Sequence, residues 1–103
     1  MTRIKLDLAT AMRQGASEAT GMLRVLANED RLLLLCALCG GEACVTELEH
    51  RLDIHQPTLS QQLGVLRRRS IVHTRRSGKQ VYYSIADERI RDLLSSLHAL
   101  YCP

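Results

Sequence analysis

Apolar residues recur along this chain with two different periods. Leu8, Met12, Ala16, Ala19, Met22, Leu23 and Leu26 fall at helical spacing and predict a first helix over about 7–27, with Gly15 and Gly21 as its weak points. A second helix follows. Asn28 is placed to cap it, Glu29 and Asp30 lie in its first turn where the helix dipole favours acids, and Gly40-Gly41 stops it. Because it is apolar almost all round from Leu32 to Leu38, it is expected to lie buried at the centre of the fold. A short helix starts at Thr46 and carries Leu48 and Leu52. After the turn Asp53-Ile54-His55, Pro57 opens another helix at the first position, where its missing N–H is not needed. Leu59, Leu63 and Leu66 give that helix one buried stripe and leave Thr58, Ser60, Gln61 and Gly64 outside it. Two short helices joined by a tight turn, the second polar on its outer face, predict a helix-turn-helix over about 46–69.

Past Ser70 the period becomes two. Val72 and Thr74 precede a turn at Ser77-Gly78, and Val81, Tyr83 and Ile85 then alternate with Gln80, Tyr82 and Ser84, as a half-buried two-stranded hairpin requires. A hairpin over about 72–85 with Arg75, Arg76 and Lys79 at its tip, directly after a helix-turn-helix, is a wing. Ile90, Leu93, Leu94, Leu97 and Tyr101 then restore helical spacing for a last helix over about 87–101. The expected fold is mainly α with a two-stranded wing: a winged helix-turn-helix in one domain, 1–103.

Composition agrees with helix. The chain has 18 Leu, no Phe and no Trp, whereas sheets favour β-branched and aromatic residues. Its longest apolar run, Leu32 to Cys39, is far short of the ~20 residues that cross a bilayer, and the reading is a cytoplasmic protein with no membrane partner. Charge changes the picture more. The net charge is +3, yet the segment from Arg51 to Lys79 holds seven basic residues against the single acid Asp53, leaving the rest of the chain net acidic. Such a block suits a polyanion, because attraction follows the local field rather than the total.

Double-stranded DNA is therefore the expected partner. Gln56, Thr58, Ser60 and Gln61 open the polar face of the second helix of the pair, where short polar side chains and Gln reach base edges. Arg67 and Arg68 at its far end, with Arg75, Arg76 and Lys79 on the wing, suit phosphate contact or minor-groove insertion. A capping or salt-bridge role for any one of them is the competing reading. No Gly-rich phosphate loop, paired carboxylates or nucleophile with its base can be assigned, so neither enzymatic chemistry nor a cofactor is expected.

These stretches resemble the ArsR/SmtB family of bacterial winged-helix repressors. The resemblance rests on Leu26-Ala27-Asn28-Glu29-Asp30-Arg31-Leu32, on Gln56-Pro57-Thr58-Leu59-Ser60-Gln61-Gln62-Leu63-Gly64-Val65-Leu66-Arg67, and on Val72 through Arg76 with Gly78-Lys79 and Tyr83. It implies a homodimer joined through the first and last helices, and two-fold symmetry then implies an inverted-repeat operator. Within the family the chain is most similar to the sulfide- and redox-responsive branch, with a cysteine in the central helix, Cys36, and another in the last, Cys102. That likeness implies that reactive sulfur species (persulfides) or oxidants bridge the two sulfurs and release the operator. Cys39 and Cys44 have no counterpart in this pattern and read as packing or incidental thiols.

Two readings of the thiols compete with it. Metal sensing through cysteine thiolates is one, although Glu47-Leu48-Glu49 stands where a Cys-x-Cys would be and Asp87-Glu88-Arg89 lacks the His of an Asp-x-His, so no metal ligand is assigned. A thiol oxidoreductase resting on Cys36-x-x-Cys39 is the other, weakened because the pair lies inside a helix. A pure protein-interaction module would leave the basic block unexplained. The histidines, His50, His55, His73 and His98, are scattered without ligand spacing.

Overall fold

The computed structural model describes the backbone of residues 2–103 and the side chains from Asp7 onward; Met1 of the expected domain lies outside the described residues. Five helices and three short strands follow one another: α1 (Thr2–Leu26), α2 (Glu29–Cys39), β1 (Ala43–Cys44), α3 (Val45–Leu52), α4 (Thr58–Arg68), β2 (Val72–Ser77), β3 (Gln80–Ile85) and α5 (Glu88–Tyr101). This is a winged helix-turn-helix.

The core is leucine-built. Leu34, Leu35 and Leu38 of α2, Leu48 of α3, and Leu59, Leu63 and Leu66 of α4 are fully buried together with Ile71, Ile90 and Leu94. At this degree of burial, truncating any one of the leucines to Ala costs about 2–5 kcal/mol. The centre of α2 departs from expectation. Leu33 and Cys36 are exposed on it, because Leu34, Leu35 and Leu38 are the positions that α1, α3, α4, α5 and β3 cover and the helix turns these other two apolar positions away. Its ends obey their sequence signals: Asn28 Oδ1 accepts the Arg31 N–H at 3.0 Å, and Gly40 closes the last turn.

The sheet has three strands where a two-stranded wing was expected. β1 pairs antiparallel with β3, Ala43 opposite Tyr83 and Cys44 opposite Tyr82, while β3 pairs on its other side with β2 from Val72–Ile85 to Ser77–Gln80. A two-residue strand is too short to show a period. The hairpin loop is Gly78-Lys79 rather than Ser77-Gly78, and Gly78 takes φ 61°, which a side chain would strain. α4 begins one residue later than expected, with Pro57 as its N-cap.

α1 is the least covered element. Met22, Val25 and Leu26 anchor its end on the core, while Leu8 and Met12, 60% and 66% exposed, continue its apolar stripe into solvent. Leu100 and Tyr101 at the end of α5 are likewise exposed.

Candidate DNA-binding face and thiol groove

The turn between α3 and α4 is set by backbone geometry and one anchor. Asp53 adopts the left-handed conformation at the end of α3, its N–H bonded to the Glu49 carbonyl at 3.1 Å, and the next residue, Ile54, is buried. With Leu59, Leu63 and Leu66 inward, α4 presents Ser60, Gln61, Arg67 and Arg68 to solvent and leaves Thr58 half-buried. Gln56 is partly committed, since its Oε1 accepts the Ser60 N–H at 3.1 Å and so satisfies one of the free donors at the start of α4. Arg68 folds back over Gly64, where a Cβ would meet the guanidinium at 3.2 Å.

The basic residues divide into paired and unpaired. On the wing, Arg75 chelates Glu42 with Nε and Nη2 and lies over the Tyr82 ring at 4.9 Å. That guanidinium holds the Glu42 carboxyl below the usual carboxylate range. Arg51 pairs with Glu47 one turn away at 3.2 Å. Among the described residues Arg67, Arg68, Arg69, Arg76 and Lys79 have no carboxylate partner. The field of the basic block therefore comes from the end of α4 and the tip of the wing.

Arg31 was not singled out by the sequence, yet it fixes the recognition helix to the rest. Its Nε donates to the Val25 carbonyl at 2.6 Å, at the end of α1, and its Nη1 donates to Gln62 Oε1 on α4 at 2.9 Å. A cation here satisfies carbonyls that α1 leaves open at its C-terminus. Spacing alone gives no hint of it, because Gln62 is 31 residues away.

The second assembly lies between α2 and α5. Cys36 and Cys39, Arg91, Ser95 and His98, with Leu94 beneath, line an open groove of about 340 Å³. Arg91 Nη1 donates to the Cys39 carbonyl at 3.0 Å and its Nε lies 3.4 Å from Glu88 Oε1, which ties α5 to the end of α2. Cys102, exposed, caps α5 with its N–H on the His98 carbonyl at 2.9 Å. Burial, then the neighbouring Cys39 and Cys102 thiols, push the Cys36 thiol above its ordinary range. Burial also raises Cys39, partly offset by the Arg91 charge. His98, which looked isolated in the sequence, is thus brought beside two thiols. Its signal was the helical stripe Arg91, Ser95, His98, Cys102 on α5, at steps of four, three and four.

Cys44 is elsewhere and structural. It is buried in the edge strand β1 and is the N-cap of α3, and its N–H donates to Glu47 Oε1 at 3.2 Å. The described residues contain no group of three or more His, Cys, Asp or Glu placed to hold a metal ion. No helix among them is long and apolar enough to cross a membrane.

A helix-turn-helix with a polar outer face, unpaired cations at its end and a basic wing define a DNA-binding regulator. Residues 28–74 match the family model described as bacterial regulatory protein, arsR family. The chain is 50% identical over 92 residues to the biofilm growth-associated repressor of Agrobacterium fabrum, covering 89% of this chain and 79% of the relative, and it belongs to the ArsR family. It is also 38% identical over 91 residues to the transcriptional activator HlyU of Vibrio cholerae, covering 88% of this chain and 84% of the relative. Among solved structures, the transcriptional repressor BigR from Xylella fastidiosa superposes with a TM-score of 0.86 at 42% identity, covering 92% of this chain and 97% of that one. Reduced HlyU from Vibrio cholerae follows at 0.85 and 38%, covering 90% and 98%. The family is one of transcription regulators and not of enzymes.

Proposed function

We propose that the protein is a dimeric transcriptional repressor, acting in the cytoplasm on an inverted-repeat operator, whose DNA affinity is lowered when Cys36 and Cys102 become bridged. The observation that carries the reading is that Cys102, at the end of α5, lies near enough to Cys36 on α2 to disfavour its thiolate, while the DNA-facing residues stay on other elements. Repression accords with the Agrobacterium and Xylella relatives, which are repressors, and the reduced form of HlyU from Vibrio cholerae accords with a thiol-dependent state.

In this reading residues 46–69 form the helix-turn-helix and 72–85 the wing. Thr58, Ser60 and Gln61 meet bases, with the Gln56 amide group beside them, and Arg67, Arg68, Arg76 and Lys79 meet phosphates. Arg75 braces the wing through Glu42. Residues 7–27 and 87–101 form the dimer contact. Its support is the uncovered stripe of Leu8 and Met12 and an apolar groove of about 510 Å³ between α1 and α5, lined by Ala19, Met22, Leu23, Ile90 and Leu93. Leu97→Glu or Met12→Glu should dissociate the dimer in light scattering, since an unpaired charge in an apolar contact is costly. A stable monomer for the unchanged protein would remove the symmetric operator.

The Cys36 thiolate attacks the terminal sulfur of a persulfide R–S–SH, the S–S bond breaks, and R–S⁻ leaves and takes a proton. Cys102 thiolate then attacks Cys36 Sγ and expels hydrosulfide, so two thiols are oxidised to a disulfide and one sulfane sulfur is reduced. The bond ties α5 to α2 and favours a dimer geometry in which the recognition helices no longer match successive grooves. The test uses a duplex recovered by selection from a random-sequence pool. Cys36→Ser and Cys102→Ser should each bind it in reducing buffer, and each should lose release by glutathione persulfide, whereas Cys44→Ser should keep release. Release by zinc, dependent on Cys39, would replace the sulfur switch with metal sensing.

A further inference from the structure

Two thiols, Cys36 and Cys39, line the groove, and Cys102 at the end of α5 also acts on Cys36, one thiol more than a two-cysteine switch uses. Cys36 and Cys39 are one helical turn apart on α2, and both line the groove that Arg91, Ser95 and His98 close from α5. We propose that Cys39 is a second resolving thiol, competing with Cys102 for Cys36 and closing a bond within α2 that leaves α5 free. The inference rests on the reading of Cys36 as the thiol that first takes up sulfur.

Three features of the structure support it. Side chains three apart on an α-helix have Cβ atoms about 5–6 Å apart, somewhat beyond the ~3.5–4.5 Å of a disulfide, so the turn between them must tighten. Cys39 is the last residue of α2, where tightening disturbs least. The next turn already has three-residue spacing: the Gly40 N–H bonds the Ala37 carbonyl at 3.2 Å and the Gly41 N–H bonds the Leu38 carbonyl at 3.1 Å. That geometry eclipses positions i and i+3 and brings their side chains together. Second, Arg91 is held at the end of α2 by its bond to the Cys39 carbonyl, and its charge favours the Cys39 thiolate against burial. Third, Cys39 lines the same groove as Cys36, and Cys102 does not.

The chemistry needs no new reactant. When Cys36 carries a persulfide, the Cys39 thiolate attacks Cys36 Sγ, the Cys36–Cys39 bond forms, and hydrosulfide leaves. When the Cys36–Cys102 disulfide already exists, the same attack breaks it and expels the Cys102 thiolate, which returns α5 to its untied state with no electrons gained or lost by the protein. Cys39 thus diverts part of a small dose of inducer into a bond that does not tether the last helix.

The experiment treats the Cys44→Ser/Cys102→Ser protein with glutathione persulfide, blocks free thiols, and maps its tryptic peptides by mass. The peptide between Arg31 and Arg51 should lose two hydrogens, with fragmentation suppressed between Cys36 and Cys39. Adding Cys39→Ser should leave a sulfur adduct on Cys36 instead. In the otherwise unchanged protein, Cys39→Ser should raise the yield of the Cys36–Cys102 bond roughly twofold at limiting donor, as removal of one of two equal competitors does. If the Cys44→Ser/Cys102→Ser protein shows only the sulfur adduct while the unchanged protein forms Cys36–Cys102, the role of Cys39 is overturned and the switch stands. If Cys36 takes up no sulfur in any variant, both fall.

Discussion

The DNA-facing half and the thiol groove are built on opposite principles. Every side chain of the first lies on α4, just before it at Gln56, or on the hairpin that follows within a few residues, and on α4 a single stripe of Leu59, Leu63 and Leu66 decides which of them face out. The groove joins Cys36 and Cys39 to Arg91, Ser95 and His98, residues more than 50 positions away, and depends on α5 docking against α2. A surface made of local pattern stays intact as long as its own helix stays seated. A surface made across two helices changes when one of them shifts. The second is where a small chemical event can be converted into movement, and the first is what the movement carries.

Arg31 is the joint between the halves, and its loss should have the largest effect. It bonds α1 and α4 at once, and hydrogen bonds to a charged group contribute about 1.5–3 kcal/mol. Arg31→Ala should lower unfolding stability by about 2–3 kcal/mol in urea titration and weaken duplex binding even in reducing buffer. If binding were unchanged, α4 would be seated by its leucine stripe alone. Next in size, Gln61→Ala should weaken binding to the selected duplex by ~1–3 kcal/mol if the contact to a base is bidentate, with less loss on unrelated duplex. Equal loss on both would place Gln61 on the backbone.

How far the sequence revealed each half follows from the same contrast. The α4 stripe and the Asn28 cap are local, and the structure places them as expected; β3 forms where it was expected, but Val81 through Ser84 are all half-buried rather than alternating. β1 escaped notice because two residues have no period, and its partner β3 is far along the chain. The burial of α2 was overestimated because its run of leucines carries no direction; only packing shows that Leu33 and Cys36 are outside. Arg31 and Gln62, and Arg91 and Cys39, meet through the tertiary fold alone. For the wing the sequence counted three equal cations, and the fold distinguishes them.

The groove should also differ from the DNA face in its response to pH. Thiolate is the reacting form, and the Cys36 thiol is raised by burial and by its two neighbours. Its thiolate fraction is therefore small at pH 7 and grows about tenfold per pH unit while pH stays below that raised value. The rate of Cys36 alkylation in the reduced protein should rise log-linearly from pH 7 to 8.5 without a plateau. Cys102→Ser removes one of the two thiols that disfavour the Cys36 thiolate and should speed Cys36 at a given pH. A plateau near pH 7 would mean an activated thiolate, and the groove would need a stronger cation at Cys36 than Arg91 supplies.

The smallest expected effect separates two adjacent arginines. Arg76 has no carboxylate partner among the described residues, and its position opposite Val81 puts it next to the wing tip with Lys79. If it meets a phosphate it releases condensed counterions on binding, and Arg76→Ala should flatten the dependence of log affinity on log salt by roughly one unit. Arg75 is chelated by Glu42 and stacked on Tyr82 before any DNA arrives. A guanidinium already neutralised has little counterion atmosphere to exchange, so Arg75→Ala should leave the slope nearly unchanged while loosening the wing. Glu42→Gln supplies the converse: it frees Arg75 and should steepen the slope. Equal slopes for Arg75→Ala and Arg76→Ala would show that the Glu42 pair opens on DNA, and that the wing offers all three of its cations to the duplex.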